Sequence, residues 1–114
     1  MKKRKSKKPS KTKLWNELSK SIREHEKRCA ICGKTEHLNV HHLLSKKFYP
    51  EYLLEPKNLI VLCAKHHQFG RNSAHKNGVF FTEWLRIHRR KQFRWCLNAM
   101  VEHEKRLYND ITMP

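Results

Sequence analysis

Residues 61–75 read VLCAKHHQFGRNSAH, in which two adjacent histidines, His66 and His67, follow an apolar run that ends in a cysteine. Upstream, residues 38–44 read LNVHHLL, so a second histidine pair lies inside another apolar run. Adjacent side chains point in different directions both in a strand and in a helix. We therefore predict that the two members of each pair serve different sites.

The chain is basic along its whole length. Its 114 residues carry 26 Lys and Arg against 10 Asp and Glu, a formal net charge of +16. Residues 1–13 hold eight of these positive charges and no acid, which leaves 18 against 10, or +8, in the other 101 residues. The folded part is therefore basic as well, and a polyanion, most simply nucleic acid, is the expected partner.

The composition indicates one small α+β domain behind a basic arm. A chain of this length with 38% hydrophobic residues has a thin core, which a bound metal often supplements. The predicted parts, in chain order, are a disordered arm at 1–13 and a domain at 14–114 with a helix at 14–27, a metal-binding core at 28–78 and helices within 79–109. The arm either attracts phosphate or only keeps the protein in solution.

Two strands are predicted inside the core. LNVHHLL at 38–44 is short and β-leaning, and LIVLC at 59–63 is apolar throughout, which is typical of a strand buried on both faces. A helix is expected to begin after the second strand, at Ala64, and Gly70 either limits its length or loosens it.

No feature of the sequence predicts a membrane or secreted protein. There is no run of about 18 apolar residues, and the basic N-terminus lacks the apolar segment of a signal peptide. We therefore expect a cytoplasmic protein without a membrane partner. In a reducing compartment, cysteines are metal ligands or packed thiols rather than disulfides.

Two pairs of residues have the spacing of zinc ligands. Cys29 and Cys32 form a CxxC pair, and Cys63 and His66 form a CxxH pair with the same spacing, 31 residues further on. Together they predict a tetrahedral Cys3His shell that strongly favours a structural Zn(II) ion, with no position left for water. Two alternatives remain: Cys63 is merely a buried thiol, or Cys96 replaces His66 as the fourth ligand.

The remaining histidines of the two pairs point to a second site. If His66 completes the zinc shell, His67 is free to face the strand that carries His41. Asn58 follows a proline and precedes the second strand, where asparagine is also common simply as a turn residue.

The order of these motifs resembles the HNH (His-Asn-His) nucleases. CxxC, HH at a strand end, Asn58-Leu59 and LCxxHH follow one another over roughly Arg28 to His75, and HQFGRNSAHKN is similar to a phage-type branch. The resemblance implies a ββα-metal core, also called the His-Me finger, with the zinc knuckles flanked by helices. The family commonly has CxxC in the second knuckle, whereas this chain has CxxH.

The resemblance also implies a role for each residue of the second site. His41 and His67 would bind a catalytic divalent metal, Mg(II), Mn(II), Ni(II) or Zn(II). His42 would be the general base that deprotonates the attacking water, and Asn58 would keep that base oriented. His75 would be a further metal or phosphate ligand.

Three cationic residues near these motifs are candidates for nucleic-acid contact. Arg71, placed one helical turn after His67, could hold a phosphate in its planar guanidinium, although a plain surface arginine fits equally well. Lys46 and Lys47 follow the first histidine pair and are assigned to the same role.

The expected function is a metal-dependent endonuclease that hydrolyses phosphodiester bonds in DNA, most simply double-stranded DNA. The alternatives are a non-catalytic, zinc-stabilised module that binds nucleic acid and an accessory subunit of a phage DNA-processing machine in the host cytoplasm. The sequence does not decide whether cleavage is sequence-specific, whether the substrate is DNA or RNA, or whether one strand or both are cut. It also does not decide between a monomer and a homodimer.

Overall fold

The structure, a computed structural model, describes residues 8–107. Its elements, in chain order, are helix α1 (Lys11–Glu26), strand β1 (Leu38–His42), two 3-10 turns (Pro50–Tyr52 and Pro56–Asn58), strand β2 (Leu59–Cys63), one π-helical turn (Lys65–Phe69), helix α2 (Gly78–His88) and helix α3 (Arg90–Leu107). The prediction of a small α+β fold is confirmed.

The two strands form an antiparallel hairpin at the centre of the fold. Val40 lies opposite Val61, and His42 lies opposite Leu59. As predicted, β2 is buried along its whole length. Its side chains alternate between the faces of the sheet, because strand residues have a period of two. Ile60 and Leu62 therefore belong to the apolar cluster on one face, and Leu59 and Val61 belong to the cluster on the other.

Helices cover both faces of this hairpin. Trp15, Leu18 and Ile22 of α1 pack on the face that carries Val40, at the helical spacing expected for one apolar stripe. Phe81 and Leu85 of α2 pack on the opposite face. The two-stranded sheet is thereby sandwiched between α1 and α2, and no third strand is needed to bury it.

Helix α1 begins earlier than the predicted boundary of 14–27. The Ser10 hydroxyl caps it by accepting a hydrogen bond from the backbone N–H of Lys13 at 3.1 Å. The helix ends before Lys27, whose left-handed backbone (φ 62°) lets its N–H bond to the Arg23 carbonyl. Residues 11–13 thus belong to the helix rather than to the predicted arm, and residues 1–7 lie outside the described residues.

Strand β1 is two residues shorter than the predicted 38–44. The Leu43 N–H still bonds to the carbonyl of Asn58, which lies opposite it, at 2.8 Å, but the Asn58 N–H bonds to the Glu55 carbonyl instead of returning to β1. The Leu44 N–H then bonds to the side-chain oxygen of Asn58 at 2.7 Å. Asn58, whose side chain is fully buried, therefore ends the hairpin on both strands.

The helices predicted within 79–109 are two, α2 and α3, separated at Arg89; residues 108 and 109 lie outside the described residues. Cys96 and Ala99 of α3 pack on Leu44, in a third apolar cluster. Cys96 is thus a core thiol. None of the helices described between residues 8 and 107 has the length and apolarity needed to cross a membrane.

Candidate metal centres and catalytic cleft

The first cluster of candidate ligands is Cys29, Cys32, Cys63 and His66, whose ligand atoms all lie within 4.8 Å of one another. The Cys32 and Cys63 sulfurs are 3.8 Å apart, and His66 Nδ1 lies 3.3 Å from Cys63 Sγ and 3.8 Å from Cys29 Sγ. A tetrahedral zinc shell has S···S edges of about 3.8 Å and S···N edges of about 3.5 Å. The cluster therefore has the dimensions of a Cys3His zinc site, and the predicted grouping is confirmed.

The backbone of the CxxC turn favours the thiolate of Cys29, whereas burial and the neighbouring thiols of Cys29 and Cys63 raise the pKa of Cys32. Gly33 adopts φ 75°, which only glycine enters freely, and its N–H bonds back to the Cys29 carbonyl at 2.9 Å. Burial raises the pKa of the Cys29 thiol, but backbone N–H groups at Cys32, Cys63 and Ile31 outweigh it, so the net shift is downward. A lowered thiol pKa favours the thiolate that binds zinc.

The π-helical turn after β2 separates the second histidine pair. His66 joins the cysteines, whereas His67 turns towards β1. The turn closes through a hydrogen bond from Gly70 N–H to the Lys65 carbonyl at 2.8 Å. A Cβ on Gly70 would lie 2.6 Å from that carbonyl oxygen, so the close approach requires glycine. Because the turn ends there, Arg71 lies beyond it and not one helical turn after His67.

The second cluster is formed by His41, His67 and His75, whose ligand nitrogens also lie within 4.8 Å of one another. Their ring centroids are separated by 5.1 Å (His41 to each of the others) and 4.7 Å (His67 to His75). The loop after Gly70 brings His75 into place, because its N–H donates to the His67 carbonyl at 3.1 Å. The three side chains come from a strand, a helical turn and a loop.

Asn39 orients one of these imidazoles and was not predicted as a site residue. Its side-chain oxygen lies 3.2 Å from His67 Nδ1 and accepts that N–H. Nε2 of His67 is then left with a lone pair, and it lies 3.1 Å from His75 Nε2. The outer hydrogen bond of a ligand histidine commonly fixes the tautomer in this way. The available signal was spacing, since Asn39 is two residues before His41 and so on the same face of β1.

The surroundings keep His41 and His67 of this cluster uncharged. Burial, then the neighbouring His67 and His75, lower the pKa of His41 to about 3. Burial, then His75, lower the pKa of His67 to about 4. At neutral pH both imidazoles therefore have an unprotonated nitrogen available for a cation.

His42 points to the other side of β1, as expected for the neighbour of His41. Its ring stacks at a tilt on Trp15, with centroids 4.4 Å apart. Its Nε2 lies 3.0 Å from the Leu53 carbonyl, which can only accept, so Nε2 bears the hydrogen and Nδ1 keeps its lone pair. Burial and then Lys46 lower the pKa of His42, although the Leu53 bond acts in the opposite direction. Trp15 and Leu53 hold this ring, and sequence motifs did not identify either.

Asn58 holds the loop that carries the Leu53 carbonyl. Its amide donates to the carbonyls of Leu44 and Tyr52 at 3.1 and 3.2 Å, while its side-chain oxygen accepts from Leu44 N–H. No hydrogen bond joins its side chain to His42. It holds the backbone on both sides of that ring, at Leu44 and at Tyr52.

We expect substitution of Asn58 by alanine to destabilise the fold strongly. The change leaves the buried N–H and C=O of Leu44 without partners, and each such group costs about 1–3 kcal/mol. It also removes one of the two hydrogen bonds to the Tyr52 carbonyl, which keeps its bond from the Glu55 N–H. Asn58→Asp is expected to be no milder, because a carboxylate oxygen would then face two carbonyls. Urea unfolding measures both variants; a free energy of unfolding within 0.5 kcal/mol of the wild type, roughly the effect of a neutral surface change, would contradict this account.

The histidines open onto one cleft of about 910 Å³. Its polar side carries His41, His42, His67 and His75 together with Lys46 and Lys47. Its opposite wall is apolar and is contributed by the two C-terminal helices through Phe81, Leu85, Phe93, Leu97 and Met100. Arg71 is exposed and does not line the cleft, so the structure brings the two predicted lysines, but not the predicted arginine, to the histidines.

No protein-family model, curated protein or solved structure matches this chain in the comparisons. Inferences about its function therefore depend on the geometry of the two clusters and the cleft.

Proposed function

We propose that this chain is a metal-dependent endonuclease of the HNH type, which hydrolyses phosphodiester bonds in double-stranded DNA. In this proposal the zinc cluster is structural, and the His41, His67 and His75 cluster holds one catalytic divalent cation. The hairpin and the following helical turn would then constitute a ββα-metal core.

One observation carries the proposal. Three imidazoles converge at the edge of an open cleft, and a fourth, His42, lines that cleft with a free Nδ1. A purely structural metal site has four protein ligands and leaves no open position. Three ligands beside a cleft and a separate base are the arrangement that metal-assisted hydrolysis requires.

The residues present fit a transition metal better than magnesium. The donors are three imidazole nitrogens, and no carboxylate within the described residues joins them. Imidazole suits zinc, nickel and similar ions, whereas magnesium prefers oxygen ligands. When bound, such a cation supplies a Lewis acid that polarises the phosphoryl oxygen and neutralises charge on the departing oxygen. Of the four candidate metals, Ni(II) and Zn(II) are therefore favoured.

His42 supplies the proton acceptor. Its Nδ1 takes a proton from a water molecule in the cleft while Nε2–H keeps its bond to the Leu53 carbonyl, which also stabilises the imidazolium that forms. The lowered pKa leaves the ring unprotonated at neutral pH, as a base must be. Trp15 and the Asn58 loop keep the ring in one orientation, so the proton is taken from one direction.

The cationic rim directs the substrate. Lys46 and Lys47 are exposed at the edge of the cleft and have no carboxylate partner among the described residues. An anionic phosphodiester approaching the histidines would meet them first. The phosphate backbone is common to all sequences, so we expect cleavage with little sequence preference.

The test is cleavage of supercoiled plasmid with Ni(II), Zn(II), Mn(II) or Mg(II). The wild type is expected to nick or linearise the plasmid, most rapidly with nickel or zinc. His67→Ala should abolish cleavage while retaining the zinc of the Cys3His cluster, measured by elemental analysis. His25→Ala, a substitution of an exposed histidine on α1, is the matched control and should cleave normally.

The same assay separates the alternatives. A wild-type protein that shifts the plasmid on a gel but cleaves it with none of the four metals is a nucleic-acid-binding module, and the enzyme proposal fails. Full activity in His67→Ala would instead show that cleavage does not use the proposed cation site.

A further inference from the structure

A second strongly basic surface lies at the junction of α2 and α3, outside the cleft. It consists of five exposed cationic residues: Arg28, Lys57, Arg89, Arg90 and Lys91. Arg28 and Arg89 line one shallow depression together with Gln92, and Lys57 and Lys91 line the adjacent one, also with Gln92. Arg90 lies between its two cationic neighbours in a third. We call this set the junction surface.

The fold does not use these charges. Within residues 8–107, none of the five side chains forms an ion pair or a side-chain hydrogen bond. Glu26 is the one carboxylate among the described residues that line the three depressions. Like charges gathered without partners repel one another and destabilise the folded state. Their concentration at one place is therefore better explained by an anionic partner than by stability.

The junction surface is held on a fixed framework. Gln92 donates its side-chain amide to the carbonyls of Lys57 and Leu59, at 3.0 and 2.8 Å. These bonds tie the first turn of α3 to the start of β2. The cationic residues of α3 are thus held next to Lys57, in the turn before β2. A surface that binds the regularly spaced phosphates of a nucleic acid needs such a fixed arrangement.

The junction surface is separate from the cleft. The cleft is lined along α2 from Gly78, three residues after His75, to Leu85, whereas His88, the last residue of α2, lines a depression of the junction surface. The ten residue steps from Gly78 to His88 correspond to roughly 15 Å of α-helix, and the apolar end of the cleft at Leu85 lies within one helical turn of that depression. The two places share no lining residue.

We propose that the junction surface binds the phosphate backbone of double-stranded DNA at a second place, apart from the cleft. A duplex carries one negative charge for about every 1.7 Å of its axis, and each base pair adds about 3.4 Å. Four or five base pairs thus cover roughly the length of α2, so one duplex can contact both places. This inference goes beyond the proposed function and holds whether or not the histidine cluster is catalytic.

The experiment measures binding of a duplex of about 20 bp by fluorescence anisotropy over a range of salt concentrations, without added divalent metal. Each lost phosphate contact lowers the slope of log K against log salt by about 0.9. The variant Arg89→Gln/Arg90→Gln/Lys91→Gln is therefore expected to bind more weakly, with a slope reduced by up to about 2.7. The control Lys20→Gln/Lys34→Gln/Lys105→Gln removes the same charge from exposed lysines elsewhere and should keep the slope.

Two further variants distinguish the loss of a phosphate contact from misfolding and from a change in net charge. Arg89→Lys/Arg90→Lys retains the charge and should retain the slope, and Arg90→Gln alone should lower it by about 0.9 even if the triple variant does not fold. Zinc content monitors the fold of every variant. The proposal is overturned if the triple variant and its control change the slope equally, or if neither changes it. It is also overturned if the triple variant binds DNA as the wild type does but no longer binds an acidic peptide that the wild type binds.

Discussion

His42→Ala is expected to lower the rate of plasmid cleavage by about 10² to 10⁴-fold, the usual contribution of a general base. The free Nδ1 of His42 is the proton acceptor of the proposed reaction, and no other described histidine of the cleft lies on its face of β1. The variant should keep its structural zinc and its affinity for nickel, because the side chain belongs to neither metal cluster. Single-turnover cleavage measures the chemical step separately from product release.

A matched variant distinguishes loss of the base from loss of packing. His42 stacks on Trp15, so the substitution also removes an apolar contact. His42→Phe keeps a ring against Trp15 and should be as inactive as the alanine variant while melting close to the wild type. Cleavage at the wild-type rate by either variant would show that another group takes the proton.

Loss of the zinc shell should have the largest effect on stability. The structural ion is expected to contribute roughly 10–16 kcal/mol of apparent binding free energy, which is comparable to the whole stability of a small domain. Cys63→Ser, which removes a buried ligand at the end of β2, is therefore expected to lose zinc and cooperative unfolding together. Elemental analysis and a thermal melt followed by circular dichroism measure both.

Cys96→Ser is the control for this prediction. Cys96 is also a buried thiol, but it lies in α3 away from the ligands, and burial raises its pKa to about 11. The substitution should cost only about 1–3 kcal/mol for burying a hydroxyl, with zinc content unchanged. A Cys63→Ser protein that melts like Cys96→Ser, with a full equivalent of zinc, would contradict a stabilising role for the ion.

The histidine pairs and the ligand spacing were enough to predict the Cys3His cluster and the approach of His67 to His41, whereas His75 was assigned only through the HNH resemblance. The CxxC and CxxH spacings predicted the Cys3His grouping, because two intervening residues let both ligands of a knuckle reach one ion. The period of a strand predicted the opposite directions of His41 and His42. Such local rules hold because they depend on a few backbone angles. The catalytic roles that the HNH resemblance assigns to these residues stay predictions.

The residues that orient the histidines could not be predicted in the same way. Trp15 belongs to a helix 27 positions before His42, and the Leu53 carbonyl is a backbone group with no side-chain signature. The early start of α1 depends on one serine cap, which the charge of the arm obscured. The predicted location of Arg71, one helical turn after His67, was wrong because the turn ends at Phe69, before Gly70, and no α-helix continues to Arg71.

The adjacent residues His66 and His67 are proposed to bind two different metal ions. This proposal is tested most directly by a crystal structure of the protein soaked in Ni(II), with anomalous data collected at the zinc and nickel edges. We expect two peaks per chain: zinc within Cys29, Cys32, Cys63 and His66, and nickel bound by His41, His67 and His75 with its remaining positions open to the cleft. A single peak at the cysteines, with His41 and His67 turned away from any ion, would contradict the account.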